Sequence, residues 1–195
     1  MKIRALIIFV VLLIATITNA FDGKRKGFVL GGGIGVAPLA SVSRADERFK
    51  RTTIAGGYDI FAGKGLSERN QVCLDLRQII GEADGLSDVW ILHGYFGISW
   101  RRYLSATKQR LFSTLGLGRV MVGTLDTRRK QVYDPLLEDY SNSTGSGWGY
   151  TLGFGYQLRK HVDVSLNYCG GGFNVDDGGH TSTHWLDLTA TLMLF

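Results

Sequence analysis

One short segment of the sequence, His180-Thr181-Ser182-Thr183-His184, carries residue types that could perform hydrolysis. His180 and Ser182 are two residues apart, so on a β-strand their side chains would share one face. A serine activated by a histidine, with an acid such as Asp187 to orient the ring, is the arrangement of a serine hydrolase. We interpret the segment instead as the polar rim of an extracellular loop, because it lies where a connection passes into a strand and no fuller hydrolase motif surrounds it.

Two binding chemistries are suggested by residue type but fit the spacing poorly. His180 and His184 could ligate zinc only with a third ligand from elsewhere in the chain. The glycine-rich residues 31–35 suggest a phosphate-binding loop, but the last glycine position of that motif holds Val36 or Pro38 and no helix follows. We therefore predict no catalytic residue, no cofactor and no metal site.

The first twenty residues have the pattern of a signal peptide. Lys2 and Arg4 give a basic start, residues 5–18 carry no charge, and Thr18-Asn19-Ala20 is a small-polar-small cleavage site. The uncharged stretch is shorter than the roughly 18 to 20 residues that span a bilayer, which disfavours a membrane-anchoring helix. We expect a signal peptide at 1–20, a short segment at 21–26 and one folded domain at 27–195.

The composition of the chain favours a folded, strand-rich protein. Glycine is frequent, at 27 residues, but proline occurs only twice, unlike a disordered low-complexity chain. The net charge of +5 is too small to indicate nucleic acid as a partner.

Alternation with a period of two dominates the chain after the leader, most clearly over residues 148–158. Large apolar residues occupy one face of this segment, and glycine or polar residues occupy the other: Trp148, Tyr150, Leu152, Phe154, Tyr156 and Leu158 against Gly147, Gly149, Thr151, Gly153, Gly155 and Gln157. A barrel in lipid turns large apolar side chains outward and keeps small or polar ones in a crowded lumen. Repeated glycine on the polar face fits such a lumen better than a solvent-exposed surface.

The same alternation recurs often enough to predict about eight strands. It is found near residues 28–36, 53–60, 72–80, 90–101, 162–169 and 186–194, and a further strand is expected at 112–123 with a bulge near 116–119. Short turns are expected at 105–109 and 159–161. Longer extracellular connections are expected at 42–50, 82–88, 174–183 and, longest of all, 125–146. The predicted fold is all-β: an up-and-down antiparallel transmembrane β-barrel.

Several polar residues fall on the predicted inner face, and these should form a charge network: Asp59, Asp75, Arg77, His93, Arg101, Asp163 and Asp187. Because buried charges need partners, we expect Arg77 to pair with Asp59 or another neighbouring acid. Cys73 and Cys169 fall on strands across the barrel, too far apart for a disulfide, and are predicted to be free, inward-facing thiols. The outward aromatic residues are interpreted as two girdles at the lipid interfaces: Trp90, Trp100, Trp148, Tyr150, Tyr156 and Tyr168.

Over roughly residues 26–195 the chain resembles the small outer-membrane β-barrel proteins of Gram-negative bacteria. The resemblance rests on Lys26-Gly27-Phe28 with the glycine-rich first strand, on the Gly-x-Gly-Tyr-x-x-x-x-His pattern of residues 153–161, and on the terminal Phe195. It implies a monomer in the cell outer membrane, contact with outer-membrane lipid and lipopolysaccharide, and recognition of Phe195 by the barrel assembly machinery. The chain departs from the family's terminal pattern, because Thr191, Thr189 and Asp187 stand where hydrophobic residues are usual.

The leading functional hypothesis is a non-enzymatic outer-membrane protein whose barrel anchors its extracellular loops and forms at most a narrow pore. One alternative is a membrane-embedded hydrolase that resembles the lipid A deacylases, with His180 and Ser182 at its site. A second is a soluble periplasmic β-barrel carrier of a hydrophobic ligand, which would require the apolar faces to point inward. The sequence leaves open eight or ten strands, and the identity of any ligand or surface partner.

Overall fold

The computed structural model describes residues 26–44, 49–83, 89–104, 111–126, 145–174 and 179–194. These residues form eight strands in one closed antiparallel barrel, in which each strand pairs with the next and the last pairs with the first. The strands are β1 (Gly27–Arg44), β2 (Phe49–Gly65), β3 (Asn70–Glu82), β4 (Val89–Tyr103), β5 (Leu111–Asp126), β6 (Gly145–Arg159), β7 (Val162–Asn174) and β8 (His180–Leu194). The predicted up-and-down barrel is confirmed, with eight strands. None of the described residues forms a helix that is long and apolar enough to cross a membrane.

The two faces of the strands follow the predicted alternation. In β6, Leu152 and Phe154 are exposed, whereas Thr151 and Gly153 are buried. Outward positions throughout the barrel carry large apolar side chains, among them Ile34 at 75% exposure and Leu117 at 68%. The core of the protein is therefore the lumen, and the outer wall is the more apolar of the two surfaces.

Glycines on the inner face make room for the largest lumen side chains. A Cβ on Gly31 would collide with the ring of Phe61, and one on Gly155 would collide with the ring of Phe112. Each aromatic ring thus occupies the space that an inward side chain on a nearby strand would need. This pairing accounts for Gly31 and Gly155, whereas Gly33 and Gly35 on the same face stand against the backbone and threonine side chains of β8.

The register shifts lie in β1 and at the turn between β6 and β7, and not in β5, where a bulge was predicted. The pairing of β5 with both neighbours continues without a shift through residues 116–119. The apparent break in alternation arises because Arg119 is an exposed outward residue, whose guanidinium donates to the Ser146 carbonyl at 3.3 Å and hydroxyl at 3.0 Å. In β1 the register shifts between Ala37 and Ala40 in the pairing with β2, and between Val36 and Leu39 in the pairing with β8. Pro38 lies within this bulge, a position in a sheet that tolerates proline.

The connections divide the barrel into two ends. We call the end with connections 45–48, 83–88, 127–144 and 175–179 the loop end, and the end with 66–69, 104–110 and 160–161 the turn end. The turn at 159–161 is confirmed, since Lys160 and His161 alone separate β6 from β7. The strands run further than predicted at the loop end. Arg44 pairs with Phe49, so the connection expected at 42–50 shortens to 45–48. Asn174 pairs with His180, so the connection expected at 174–183 shortens to 175–179.

Several expectations concern residues that the structure does not describe. The leader at 1–20, the segment at 21–25, the terminal Phe195 and most of the connections expected at 82–88, 105–109 and 125–146 lie outside the described residues.

Candidate functional site

The lumen gathers the charged residues that the sequence placed on the inner face. All seven are at most 6% exposed: Asp59, Asp75, Arg77, His93, Arg101, Asp163 and Asp187. They derive from five strands, so the closure of the barrel is what brings them together. The predicted inward network is confirmed, and its two arginines form separate centres.

The first centre is built around Arg77 on β3. Its Nε and Nη2 both donate to Asp75 Oδ2 at 3.2 Å, and its Nη1 lies 3.6 Å from Asp187 Oδ1. Asp75 is two residues away on the same strand, whereas Asp187 reaches Arg77 from β8. Arg77 therefore pairs with neighbouring acids as expected, but its direct partners are Asp75 and Asp187. Asp59, its register partner on β2, stands close enough to act electrostatically without a direct ion pair.

Side-chain hydrogen bonds extend the Arg77 centre into β7 and β8. Asp187 Oδ1 accepts from Asn167 Nδ2 at 2.9 Å and from Thr189 Oγ1 at 2.7 Å. Asn167 also donates to Ser165 Oγ at 3.0 Å. The threonines that break the usual apolar pattern of the last strand thus face the lumen, where Thr189 holds a carboxylate that pairs with Arg77.

The second centre is built around Arg101 on β4, whose guanidinium contacts one acid and two aromatic rings. Arg101 Nη1 donates to Asp163 Oδ2 at 3.2 Å. The guanidinium carbon lies 4.6 Å from the ring centre of Phe61 and 4.7 Å from that of Phe112, within the range of a cation–π contact. The Met193 sulfur lies 2.9 Å from the same Nη1. Sequence reasoning missed the two phenylalanines, although both occupy inward positions of the alternation.

Nearer the loop end, the lumen is closed by His93 and Trp185. The His93 Nδ1 and the Thr183 hydroxyl are 2.7 Å apart, and the rings of His93 and Trp185 have centroids 5.8 Å apart. Trp185 is 1% exposed. Side chains also fill the lumen around Arg77. The cavity lined by Asp59, Arg77 and Asp187 measures about 10 Å³, roughly the room that one water needs.

The two cysteines are free and buried, as predicted. Cys73 belongs to the cluster of buried residues that contains Phe61 and Phe112, next to Arg101. Cys169 belongs to a different cluster, with Tyr95 and Trp185, and its sulfur lies 3.3 Å from the Thr151 hydroxyl. Arg101 is a charged neighbour of Cys73 and Arg77 is one of Cys169, so each thiol accompanies one of the two centres.

The segment that suggested hydrolysis is split between the two faces of β8. His180 is exposed and Ser182 partly exposed, and both face outward, while Thr181 and Asp187 are buried in the lumen. Asp187 is therefore on the wrong side of the sheet to orient His180. The His180 Nδ1 is instead 3.0 Å from the Asn174 side-chain oxygen. Among the described residues, no group of three potential ligands could hold a metal ion with His180 or His184.

The glycines of residues 31–35 lie inside strand β1, and Gly31, Gly33 and Gly35 face side chains of the lumen. This confirms that they are strand glycines and not a phosphate-binding loop. The predicted girdle residues all point outward, with Trp90 and Trp148 toward the loop end and Trp100 and Tyr156 toward the turn end. Tyr168 is also outward but lies in the middle of β7, where its hydroxyl contacts His184 Nδ1 at 3.0 Å.

Comparison with solved structures identifies the same barrel in bacterial outer-membrane proteins. Neisserial surface protein A matches with a TM-score of 0.51 at 14% identity, over 86% of this chain and 96% of that one. Ail of Yersinia pestis gives 0.49 at 12% identity (86% and 99% covered), and OprG of Pseudomonas aeruginosa gives 0.45 at 14% (89% and 99%). No family model and no curated protein sequence matches the chain. The likeness to Neisserial surface protein A therefore shows the fold: a small eight-stranded barrel of the outer-membrane type.

Proposed function

We propose that this chain is an integral outer-membrane protein whose barrel is a filled, non-enzymatic anchor for the loops at its loop end. The observation that carries the proposal is the inversion of the two surfaces: ion pairs lie inside and large apolar side chains lie outside. Ile54 is 82% exposed and Phe154 73% exposed. A continuous wall of such side chains is unfavourable in water and favourable against lipid.

The same inversion argues against a soluble periplasmic carrier. A carrier of a hydrophobic ligand needs an apolar interior with room for that ligand. Here the interior holds Asp, Arg and His side chains, and its centre is packed around Arg77 and Arg101. Fractionation tests the proposal: the protein should stay with washed outer membranes and dissolve only with detergent. Recovery in the soluble fraction without detergent would overturn it.

A filled lumen also supports a barrel without a wide pore. Arg101, Phe61 and Phe112 block the turn-end half, and His93 with Trp185 blocks the loop-end half. We expect a planar bilayer that contains the folded protein to show no large, stable conductance. Single-channel recordings with porin-sized steps would contradict an anchoring role.

The longest connection between consecutive strands, residues 127–144 between β5 and β6, is our proposed contact surface for a partner at the loop end. We further propose export by the leader, so that the mature protein starts at Phe21, and assembly through Phe195 as a monomer. Mass measurement of the membrane-extracted protein checks the first point. Replacement of Phe195 by a polar residue, which should slow membrane assembly, checks the second.

A membrane-embedded lipid hydrolase remains the second candidate, supported by one observation: His180 and Ser182 lie on the same outward face of β8 at the loop end. Asp187 faces the lumen and cannot orient His180, whose ring contacts the Asn174 side chain instead. Incubation of the purified protein with lipopolysaccharide, followed by mass analysis of released fatty acids, tests this candidate. Release that disappears in His180→Ala and Ser182→Ala would establish it in place of the anchor.

A further inference from the structure

We propose that the outer wall carries a binding site for one phosphorylated acyl lipid, in a cleft where β7, β8 and β1 meet toward the loop end. The inference rests on the proposed membrane location of the barrel. The cleft has a volume of about 530 Å³. Its lining combines an aliphatic part with a group of hydrogen-bonding side chains, which distinguishes it from the outward aliphatic wall beside it.

The β1 bulge shapes the aliphatic part of the cleft. After the register shift, Leu39 pairs with Leu186, Ala40 with Trp185 and Ser41 with His184. Bulges bend a strand and redirect its side chains. Here Leu39, which is 56% exposed, and Leu186 both line the cleft. Together they present a surface of the kind that an acyl chain covers.

Four polar side chains line the rest of the cleft: Ser41, Ser43, Tyr168 and His184. The rings of Tyr168 and His184 are nearly parallel, at 12° with centroids 6.0 Å apart, and the Tyr168 hydroxyl is 3.0 Å from His184 Nδ1. The ring of Tyr150 lies beside that of Tyr168, with centroids 6.1 Å apart. With neutral histidine, the Tyr168 and His184 pair carries two protons but makes one internal bond, so one proton is left to donate to a ligand.

The serines add two hydroxyl donors to that one. The Ser41 hydroxyl has only a long contact to the His184 carbonyl, 3.5 Å, a distance at which a hydrogen bond is weak. Among the residues that the structure describes, the side chains that line the cleft include no carboxylate. Several donors without a competing anion match the oxygens of a phosphate group. Because lipid surrounds the outer wall of a membrane barrel, the occupant that combines such oxygens with an apolar tail is a phosphorylated acyl lipid.

An outward glycine on β7 leaves room for the polar part of the cleft. A Cβ on Gly170 would lie 2.5 Å from His184 Nδ1 and 3.1 Å from the Tyr150 hydroxyl, too close for the ring to stay where it is. By contrast, outward Gly56 on β2 has nothing within 4 Å of its ideal Cβ. The pair Gly170→Ala and Gly56→Ala therefore separates displacement of His184 from the general effect of adding a methyl group to the wall.

Native mass spectrometry of the folded, detergent-solubilised protein tests the site. The protein is titrated with dioleoylphosphatidylglycerol, with phosphate-free dioleoylglycerol, and with inorganic phosphate. We expect one tightly retained phosphatidylglycerol and no comparable retention of the other two. Gly170→Ala and the double variant Ser41→Leu/Ser43→Leu should weaken retention about tenfold, which corresponds to about 1.4 kcal/mol of binding free energy. The controls Gly56→Ala and Ser113→Leu, an outward serine on β5, should bind like the wild type.

The possible failures are distinguishable. If the protein needs no detergent, the proposed membrane location fails and the lipid site fails with it. If the protein is a detergent-requiring barrel but retains dioleoylglycerol as well as phosphatidylglycerol, or if Gly170→Ala binds like Gly56→Ala, the lipid site alone is wrong. A gel that shows the folded form of every variant before heating ensures that a loss of binding is not a loss of fold.

Discussion

Arg77 and Arg101 are two buried guanidinium groups in one lumen, and the barrel stabilises them in different ways. Arg77 is surrounded by acids: it forms ion pairs with Asp75 and Asp187, and Asp59 is nearby. Arg101 forms one ion pair among the described residues, with Asp163, and lies between two phenylalanine rings. The Arg77 centre therefore has more negative than positive charge. The Arg101 centre has one acid for one cation, and two aromatic rings contact the cation as well.

A buried arginine can thus be stabilised by several acids, as Arg77 is, or by one acid together with aromatic rings, as Arg101 is. Removal of one member of a buried pair leaves the other uncompensated, and the cost grows with the charge left behind. Without Arg77, three carboxylates would remain together. Without Arg101, one carboxylate would remain, and the aromatic slot could still be filled by an apolar side chain. The arginines should therefore differ in their importance for stability.

The largest effect is expected for Arg77→Met. This change leaves Asp59, Asp75 and Asp187 without their cation in a lumen of low dielectric, and breaking a buried pair in this way typically costs about 3–5 kcal/mol. The free energy of unfolding in lipid vesicles, followed by urea titration, should fall by that amount. The temperature at which the folded gel band disappears should fall as well. An unchanged band temperature would show that Arg77 does not hold this centre together.

A smaller effect is expected for Arg101→Met. Methionine can occupy the slot between Phe61 and Phe112, so the loss is confined mainly to the uncompensated Asp163 and the cation–π contacts, about 2–3 kcal/mol in all. The same urea titration measures it. Adding Asp163→Asn to Arg101→Met should recover part of the loss. If Arg101→Met is more harmful than Arg77→Met, the distinction between the two centres is wrong.

Removal of single acids sharpens the comparison further. Asp59→Asn removes a carboxylate from a centre that has two others paired with Arg77, so its effect should be within about 1 kcal/mol of zero or stabilising. Asp163→Asn removes the acid that forms the ion pair with Arg101 and should destabilise the barrel by more. Parallel urea titrations of the two variants give the difference directly. Equal losses would mean that the number of neighbouring acids does not matter.

The alternation of the sequence was sufficient to predict which side chains enter the lumen. A period of two assigns each residue of a strand to one face, and the assignments of residues as different as Arg77, His93 and Asp187 are confirmed. The strand ends were less predictable, because Arg44 and Phe49 continue the ladder through polar sequence that reads as a loop. The bulge was misplaced, since an outward arginine such as Arg119 breaks the hydrophobic pattern without breaking the pairing.

Which inward residues touch one another was beyond the sequence. Contacts across a lumen depend on the stagger of all eight strands at once, and no single strand contains that information. Arg77 bonds Asp75 on its own strand and reaches Asp187 on β8, whereas Asp59, its neighbour in the register, is not a direct partner. The outer cleft was missed for the same reason: Ser41, Tyr168 and His184 come from three strands that meet only when the barrel closes.

The smallest effect is expected from the two thiols, one of which accompanies each centre. Cys73 lies with Phe61 and Phe112 near Arg101, and Cys169 lies with Trp185 in a separate buried cluster. Since both are free and buried, a reducing agent should leave the free energy of unfolding unchanged. Protein unfolded without reductant should react with two equivalents of a maleimide, and folded protein with far less. Complete protection after unfolding would mean that a disulfide joins the two centres, and their stabilities would then have to be coupled instead of independent.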